Sequence, residues 1–433
     1  MAVTRIEEGG DDDDTIRFDI AGAEDFTMTA DTFTAAASSI VALDDGAVGA
    51  PALTNTGDLN TGVYFPAADT VGVTTGGTEQ FRFGSNPIPG GSKNMLINGA
   101  MMVNQRGSTS ISGGTTVQSL DRFALTFYDA GATDAAATIT RDSDSPDGFG
   151  QSMKIDCTTI ATGGGDYNYV YQRIEAQNLQ HLKYGTADAL TCTFSFWFKT
   201  TITGIYSAYF YHIDANYTYI REFTVAESDT WEFFQVTLPG YTATNFDNNT
   251  GPGLEVGITL ASDSATGAVD TWQSGGDTGG STNQVNGLSS TSNNIYTTGW
   301  QFEVGSVATD FAHEDIGTIL QKCYRYYWRF SATNGANYNV AHNISTTACQ
   351  TMFVPPAQLR DSGWSLETTG SAADYRIAVG GSTTACSVVP AKHVSNTDIV
   401  AVTWTVASGL TAGGSSRPQE ANVSIYLAVD AEL

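Results

Sequence analysis

Large apolar and polar side chains alternate over short runs along most of this chain, the period of two expected of half-buried β-strands rather than the 3.6-residue period of helices. From Cys192 to Lys199, Phe194, Phe196 and Phe198 fall on one side and Trp197 with Lys199 on the other. Comparable runs predict strands at residues 122–128, 138–141, 152–156, 168–175, 190–199, 205–213, 220–225, 231–238, 254–260 and 299–304. Their number and spacing predict a two-sheet sandwich. Runs at 351–354, 375–379, 399–406 and 423–429 predict a smaller β-domain with a core of its own. Residues 316–326 are the one stretch that reads as a helix. Residues 264–294, poor in large apolar side chains and rich in Gly, Ser, Thr and Asn, read as a long surface loop.

The amino-terminal region repeats itself. Asp14 to Phe26 aligns without gaps on Asp69 to Phe81, sharing Asp, Thr, Gly, Glu and Phe, and each copy predicts a hairpin turning at glycine. A lone hairpin buries too little to be stable in water, so something must cover these. The acidic run from Glu7 to Asp14 reads as a solvated segment, with a calcium or partner-docking patch as the sharper alternative. Pro87 and Pro89, followed by Gly90 and Gly91, mark a linker. The expected organisation is an attachment segment with a hairpin at 1–45, a β shaft and linker at 46–92, a sandwich at 93–320 and a terminal β-domain at 321–433.

Charge narrows the partners. The 433 residues carry 19 Lys+Arg against 46 Asp+Glu, a net charge of -27, which repels nucleic-acid phosphates and anionic membranes. No run of about 18 or more apolar residues could cross a bilayer, and Met1 to Arg5 leads into Glu7 and Glu8 without an apolar leader core. We therefore expect synthesis in the cytoplasm without a signal sequence, no nucleic-acid partner and no membrane insertion. Cys157, Cys192, Cys323, Cys349 and Cys386 are widely spaced and odd in number, as expected of buried thiols. His181, His212, His313, His342 and His393 are scattered, and neither a Gly-x-Ser-x-Gly elbow nor a His-Glu-x-x-His helix occurs. The alternating acids of Asp142, Asp144 and Asp147 lack a closing Glu and include Pro146, which favours a plain turn over a calcium loop. No cofactor and no catalytic residue are expected.

Five segments carry a resemblance. The strand Trp300-Gln301-Phe302-Glu303-Val304 with Gly305-Ser306-Val307-Ala308-Thr309-Asp310-Phe311, and then Cys323-Tyr324-Arg325-Tyr326-Tyr327, resembles a signature of bacteriophage tail-fibre and receptor-binding proteins, where it ends a jelly roll similar to carbohydrate-binding modules. Asn94 to Gly107 resembles the opening of that jelly roll, Asp121-Arg122-Phe123 its "DRF" motif, and residues 46–64 the shaft repeats of tail fibres. The resemblance implies an all-β homotrimer of hairpin shaft, jelly-roll β-sandwich and distal β tip, located in the virion. Its amino end would attach to other virion proteins, and it would adhere to host surface polysaccharide. A head fibre or decoration protein without ligand and a polysaccharide depolymerase are the alternatives.

Glycan recognition needs aromatic surface beside carboxylates, amides or arginines. Strand parity places Tyr209 with Tyr211 on one face of their strand, and Tyr206, Phe210 and His212 on the other. Tyr167, Tyr169, Tyr171 and Arg173 likewise share a side of theirs. A surface of Trp197, Tyr209, Tyr211, Tyr169 and Arg173 would suit a glycan; packing of these rings into the second sheet or a trimer interface is the competing expectation. In Tyr324 to Phe330, the arginines and rings are placed for cation–π stacking.

Overall fold

The computed structural model describes residues 4–8, 16–20, 23–28, 33–35, 42–68, 70–83, 93–128, 135–160, 167–262, 267–275, 279–330, 337–394, 396–422 and 424–433. The chain forms two compact units, Met1–Ile88 and Pro89–Leu433.

In the first unit, β1 (Thr4–Glu8), β2 (Ile16–Ile20), β3 (Ala23–Met28) and β4 (Phe33–Ala35) form one antiparallel sheet in chain order. A second contains β5 (Leu53–Asn55), β6 (Asp58–Tyr64), β7 (Val71–Thr75) and β8 (Thr78–Phe83). Each predicted hairpin thus lies within four strands rather than two. The repeat extends to the pairing: Phe18 faces Phe26 and Asp19 faces Glu24 across a bulge, while Val73 faces Phe81 and Thr74 faces Glu79 across a bulge at the matching position. In the second sheet, Gly72 leaves room for the buried Tyr64 ring, because a Cβ there would come within 2.4 Å of it. The other face carries Leu53, Val63 and Val73 in one cross-strand row, with Leu59 and Val71 on the same side by parity. Leu53 is 52% and Leu59 65% exposed. Residues 9–14 of the acidic run and the linker at 86–92 lie outside the described residues.

The second unit opens with the sandwich. Its strands are β9 (Thr109–Ser112), β10 (Thr115–Gln118), β11 (Ala124–Tyr128), β12 (Ala136–Asp142), β13 (Ser152–Thr159), β14 (Tyr167–Glu175), β15 (Cys192–Lys199), β16 (Gly204–His212), β17 (Tyr217–Val225), β18 (Glu232–Leu238), β19 (Pro252–Ser262), β20 (Trp272–Ser274) and β21 (Asn294–Val304). They form a seven-stranded sheet, β10-β11-β14-β19-β16-β17-β20, and a six-stranded one, β18-β15-β21-β13-β12-β9. The chain crosses repeatedly between the two, and the core lies between them. Phe194, Phe196 and Phe198 point into it as their parity requires, touching Trp300 on the neighbouring strand and Phe210, Tyr206 and Phe223 from the opposite sheet. Each such ring contributes about 1.5–3 kcal/mol on burial. All five thiols are buried.

Residues 264–294 depart from expectation. In their described part, β20 pairs with β17, Leu288 is in the core, and Gly279 to Ser281 are buried. One tryptophan and one leucine suffice to fasten a segment whose average composition is that of a loop. Asp144 also resolves as a turn: its amide donates to Asp142 Oδ1, and its carboxylate accepts from Lys199 Nζ and Trp231 Nε1. Among the described residues, no group of three or more His, Cys, Asp or Glu is placed to hold a metal ion.

The signature after Trp300 is a latch. Gln301 Oε1 accepts from the Ala312 amide, Gln301 Nε2 donates to the Thr309 carbonyl, and Glu303 accepts from both the amide and the hydroxyl of Thr309. The chain beyond β21 is thereby folded back along the outer side of the six-stranded sheet. The opening segment is fixed in the same way: Asn94 accepts from the Leu96 and Phe302 amides and donates to the Trp300 carbonyl.

Helix α1 (Ile316–Tyr324) begins at Asp315, whose carboxylate caps the Gly317 and Thr318 amides. It leads into β22 (Tyr327–Phe330), β23 (Ala341–Asn343), β24 (Ala348–Phe353), β25 (Ser365–Thr368), β26 (Tyr375–Val379), β27 (Ser382–Lys392), β28 (Val400–Val406), β29 (Ser415–Glu420) and β30 (Leu427–Asp430). Six of these close a barrel, β23-β24-β28-β27-β26-β29, and β22-β30-β25 form a separate sheet. Trp364, Trp404, Val400 and Val402 fill the terminal module's own core.

Sandwich and terminal module meet at a buried ionic junction built from the motif residues. Arg106 stacks 3.6 Å from the Tyr327 ring centroid and pairs with Asp430 and Glu432. Arg122 stacks 3.4 Å from that of Tyr326 and also pairs with Glu432. The cation–π contacts expected around Tyr324 to Phe330 thus exist, but Tyr326 and Tyr327 take their arginines from the start of the sandwich. Arg325 instead makes a two-nitrogen bond to Glu175, which also accepts from the Tyr326 hydroxyl at 2.5 Å.

Burial alone would raise the Glu175 carboxyl, yet the bonds from Arg325 and Tyr326 outweigh it and hold its pKa below the usual glutamate range. A carboxyl depressed in the folded state contributes stability above its unfolded pKa, about 4.3, and loses it as pH falls through the folded value. Because Arg325 keeps some solvent contact, we expect Glu175→Gln to cost on the order of 2–3 kcal/mol at neutral pH. Thermal melts across pH should show the gap between wild type and variant closing below about pH 4; a gap independent of pH would mean that the Glu175 charge contributes nothing.

Candidate functional site

The outer face of the seven-stranded sheet gathers most of the expected residues, and strand register explains how. Tyr171 on β14 and Tyr209 on β16 both lie opposite Gly257 on β19. A Cβ at Gly257 would stand 2.3 Å from the Tyr209 ring, so glycine lets that ring lie across the central strand. There Tyr209 meets Tyr169 edge-on at 5.2 Å. In the next row Arg173 and Tyr211 both face Glu255. Arg173 Nε donates to Glu255 Oε2 at 2.7 Å, and the Tyr209 hydroxyl to Glu255 Oε1 at 2.6 Å. Burial and the adjacent Glu255 charge push the Tyr209 phenol well above its ordinary pKa, so it stays a donor at any physiological pH.

A tyrosine stack runs along β14. Tyr128, paired with Tyr167 across β11 and β14, lies 4.7 Å from it at 18°, and Tyr167 lies 5.6 Å from Tyr169 at 12°. Near-parallel rings this close cannot lie side by side in one plane, so they overlap in offset stacks. The end ring of the row, Tyr128, is 45% exposed. Tyr167, Tyr169 and Tyr211 are half-buried, whereas Tyr171 and Tyr209 are 3% and 2% exposed. The segment after β20 covers the adjoining part of the face: Thr259 Oγ1 donates to the Gly279 carbonyl, and the Ser281 amide to Ser207 Oγ.

Trp197 is not part of this surface. It lies on β15 in the six-stranded sheet, on that sheet's outer side, beside Phe233 at 5.4 Å. Its parity was right but its sheet was not, because which strands share a sheet is fixed by pairings distant in sequence. His212 behaves as its parity predicts: it is buried against Phe246, Tyr241 and Tyr184, and that burial pushes its pKa down to about 4. Sequence reasoning missed Glu255, Gly257 and Tyr128 as members of the face. Glu255 had left a signal, an acid inside the apolar run of β19.

No family model and no curated protein matches the chain. Among solved structures it is similar to a "Family 16 Carbohydrate Binding Module-2", at 16% identity over 38% of this chain and 84% of that one, with a TM-score of 0.20. It is similar also to a putative sugar binding protein from Bacteroides thetaiotaomicron, at 10% over 49% and 100%, TM-score 0.26. The CBM22-2 xylan-binding domain of Paenibacillus barcinonensis Xyn10C aligns at 14% over 41% and 91%, TM-score 0.23. At such TM-scores the likeness says nothing of what this chain binds.

The two face tyrosines on β16 should differ sharply under conservative change. Tyr209→Phe leaves Glu255 short of a buried donor and should cost about 1.5–3 kcal/mol, while Tyr211→Phe, whose hydroxyl bonds the exposed Asn216, should cost less than about 0.5 kcal/mol. Urea denaturation separates these outcomes, and equal losses would remove Glu255 from its organising place.

Proposed function

We propose that this protein is a trimeric fibre component of a bacteriophage virion. It would attach through its amino-terminal segment to other virion proteins and adhere to host surface glycan through the outer face of the seven-stranded sheet. The observation that carries the reading is the half-buried tyrosine row ending in an exposed ring, beside the Arg173–Glu255 pair. An exposed aromatic ring and a charge pair suit a hydroxyl-rich ligand, and three weak sites on one fibre would raise avidity far above a single contact. Support for assembly comes from Leu53, Leu59 and Val71, which leave one face of the β5–β8 sheet apolar and exposed. The full burial of Tyr171 and Tyr209 favours a second reading, a ligand-free structural component in which these rings only pack.

Two measurements test this. Labelled full-length protein should co-sediment saturably with host cells and not with mutants lacking surface polysaccharide. Tyr128→Ala and Tyr167→Ala should each weaken binding roughly tenfold; binding unchanged by both would favour the ligand-free reading. Sedimentation equilibrium should give three times the 45.8 kDa chain mass, shifted toward monomer by Leu53→Glu with Leu59→Glu. A monomeric wild type would sink the trimer.

A further inference from the structure

Beside the outer side of the six-stranded sheet, a cavity of about 210 Å³ lies between the strap before β9, the turn joining β12 to β13, and the segment entering α1. Phe149 and Phe311 wall it, packed edge-on at 5.0 Å, with the exposed His313 ring 5.2 Å from the first and 4.8 Å from the second. Glu314, held by Lys322, stands next to His313 among the lining residues. Both Phe149 and Trp197 come within 3.0 Å of where a Cβ of Gly299 would stand, and Gly299 has φ +67°, so a left-handed glycine keeps the rings close to the sheet. The Asn94 side chain at the cavity's base is engaged with backbone on both its oxygen and its nitrogen, which fixes the wall to which it belongs.

We infer that this cavity is a second saccharide site, taking one neutral pyranose ring on the side of the sandwich opposite the tyrosine row. The ligand class rests on the proposed glycan reading. Two phenyl rings offer an apolar wall, and an imidazole with a carboxylate offers a hydrogen-bonding rim, the pairing that a sugar's apolar face and hydroxyls require. The volume falls below the roughly 300 Å³ at which drug-sized ligand sites begin, so it suits a single ring and not a chain. Glu314 and the net charge of -27 disfavour uronic and other acidic sugars. With a site on each side of the sandwich, one module would bridge two glycan strands.

Gly150, among the lining residues, provides the test, because a Cβ there meets nothing within 4 Å and its φ lies outside the left-handed range; Gly150→Leu adds bulk at the cavity's edge without backbone strain. Saturation-transfer NMR on the full chain, with glucose, galactose, mannose, N-acetylglucosamine and glucuronate as probes, should show binding of at least one neutral sugar and none of glucuronate. Gly150→Leu and His313→Ala should each weaken that binding at least tenfold while leaving polysaccharide binding through the tyrosine row within twofold. Absence of any monosaccharide signal, a glucuronate preference, or a signal untouched by both variants overturns the inference. Failure of the polysaccharide arm alone counts only against the tyrosine-row reading.

Discussion

The pairing of Arg122 and Arg106 with Glu432 and Asp430 is the constraint on which the larger unit depends. Two guanidiniums stacked on Tyr326 and Tyr327 are removed from water, and each is stable there only because carboxylates from the last strand and the residues just after it reach back to meet it. The terminal module is therefore required by the sandwich as well as attached to it: residues near position 110 acquire their counter-charges only when residues near 430 have folded. Each module has its own apolar core, and their junction combines these buried ion pairs with a small apolar cluster of Val103, Ile319 and Cys323.

The phage-like motifs take their place within this frame. Asn94, Gln301 and Glu303 spend their side chains on backbone amides and carbonyls, and Arg106, Arg122 and Tyr326 on the junction. These six side chains hold the architecture, while Phe311, from the same signature, lines the cavity beside the six-stranded sheet.

Strand identity was legible wherever large side chains alternate, as in β14, β15 and β16, since a period of two is a local property. The repeat was legible down to its hairpins, though not to the third and fourth strands that join them. What could not be read was partnership. Trp197 and Tyr209 both face outward, yet only long-range pairing decides that β15 belongs with β21 and β16 with β19. Gly257 gave no local sign that two tyrosines would share the space above it. Short threonine-rich strands such as β9 and β10 escaped because they carry too few large residues to show a period, and β20 because a single tryptophan fastens it.

The position of the tyrosine row within its sheet has a mechanical meaning. Strand β14 is flanked on one side by β11 and on the other by β19, with a register against β19 that runs from Tyr167 to Glu175. A tether drawn along that strand loads its hydrogen bonds together, in shear, whereas the same pull on an edge strand such as β10 or β20 would peel them one at a time. On the proposed glycan reading, drag on a ligand held at this face would enter the sandwich through its central strands rather than its edges.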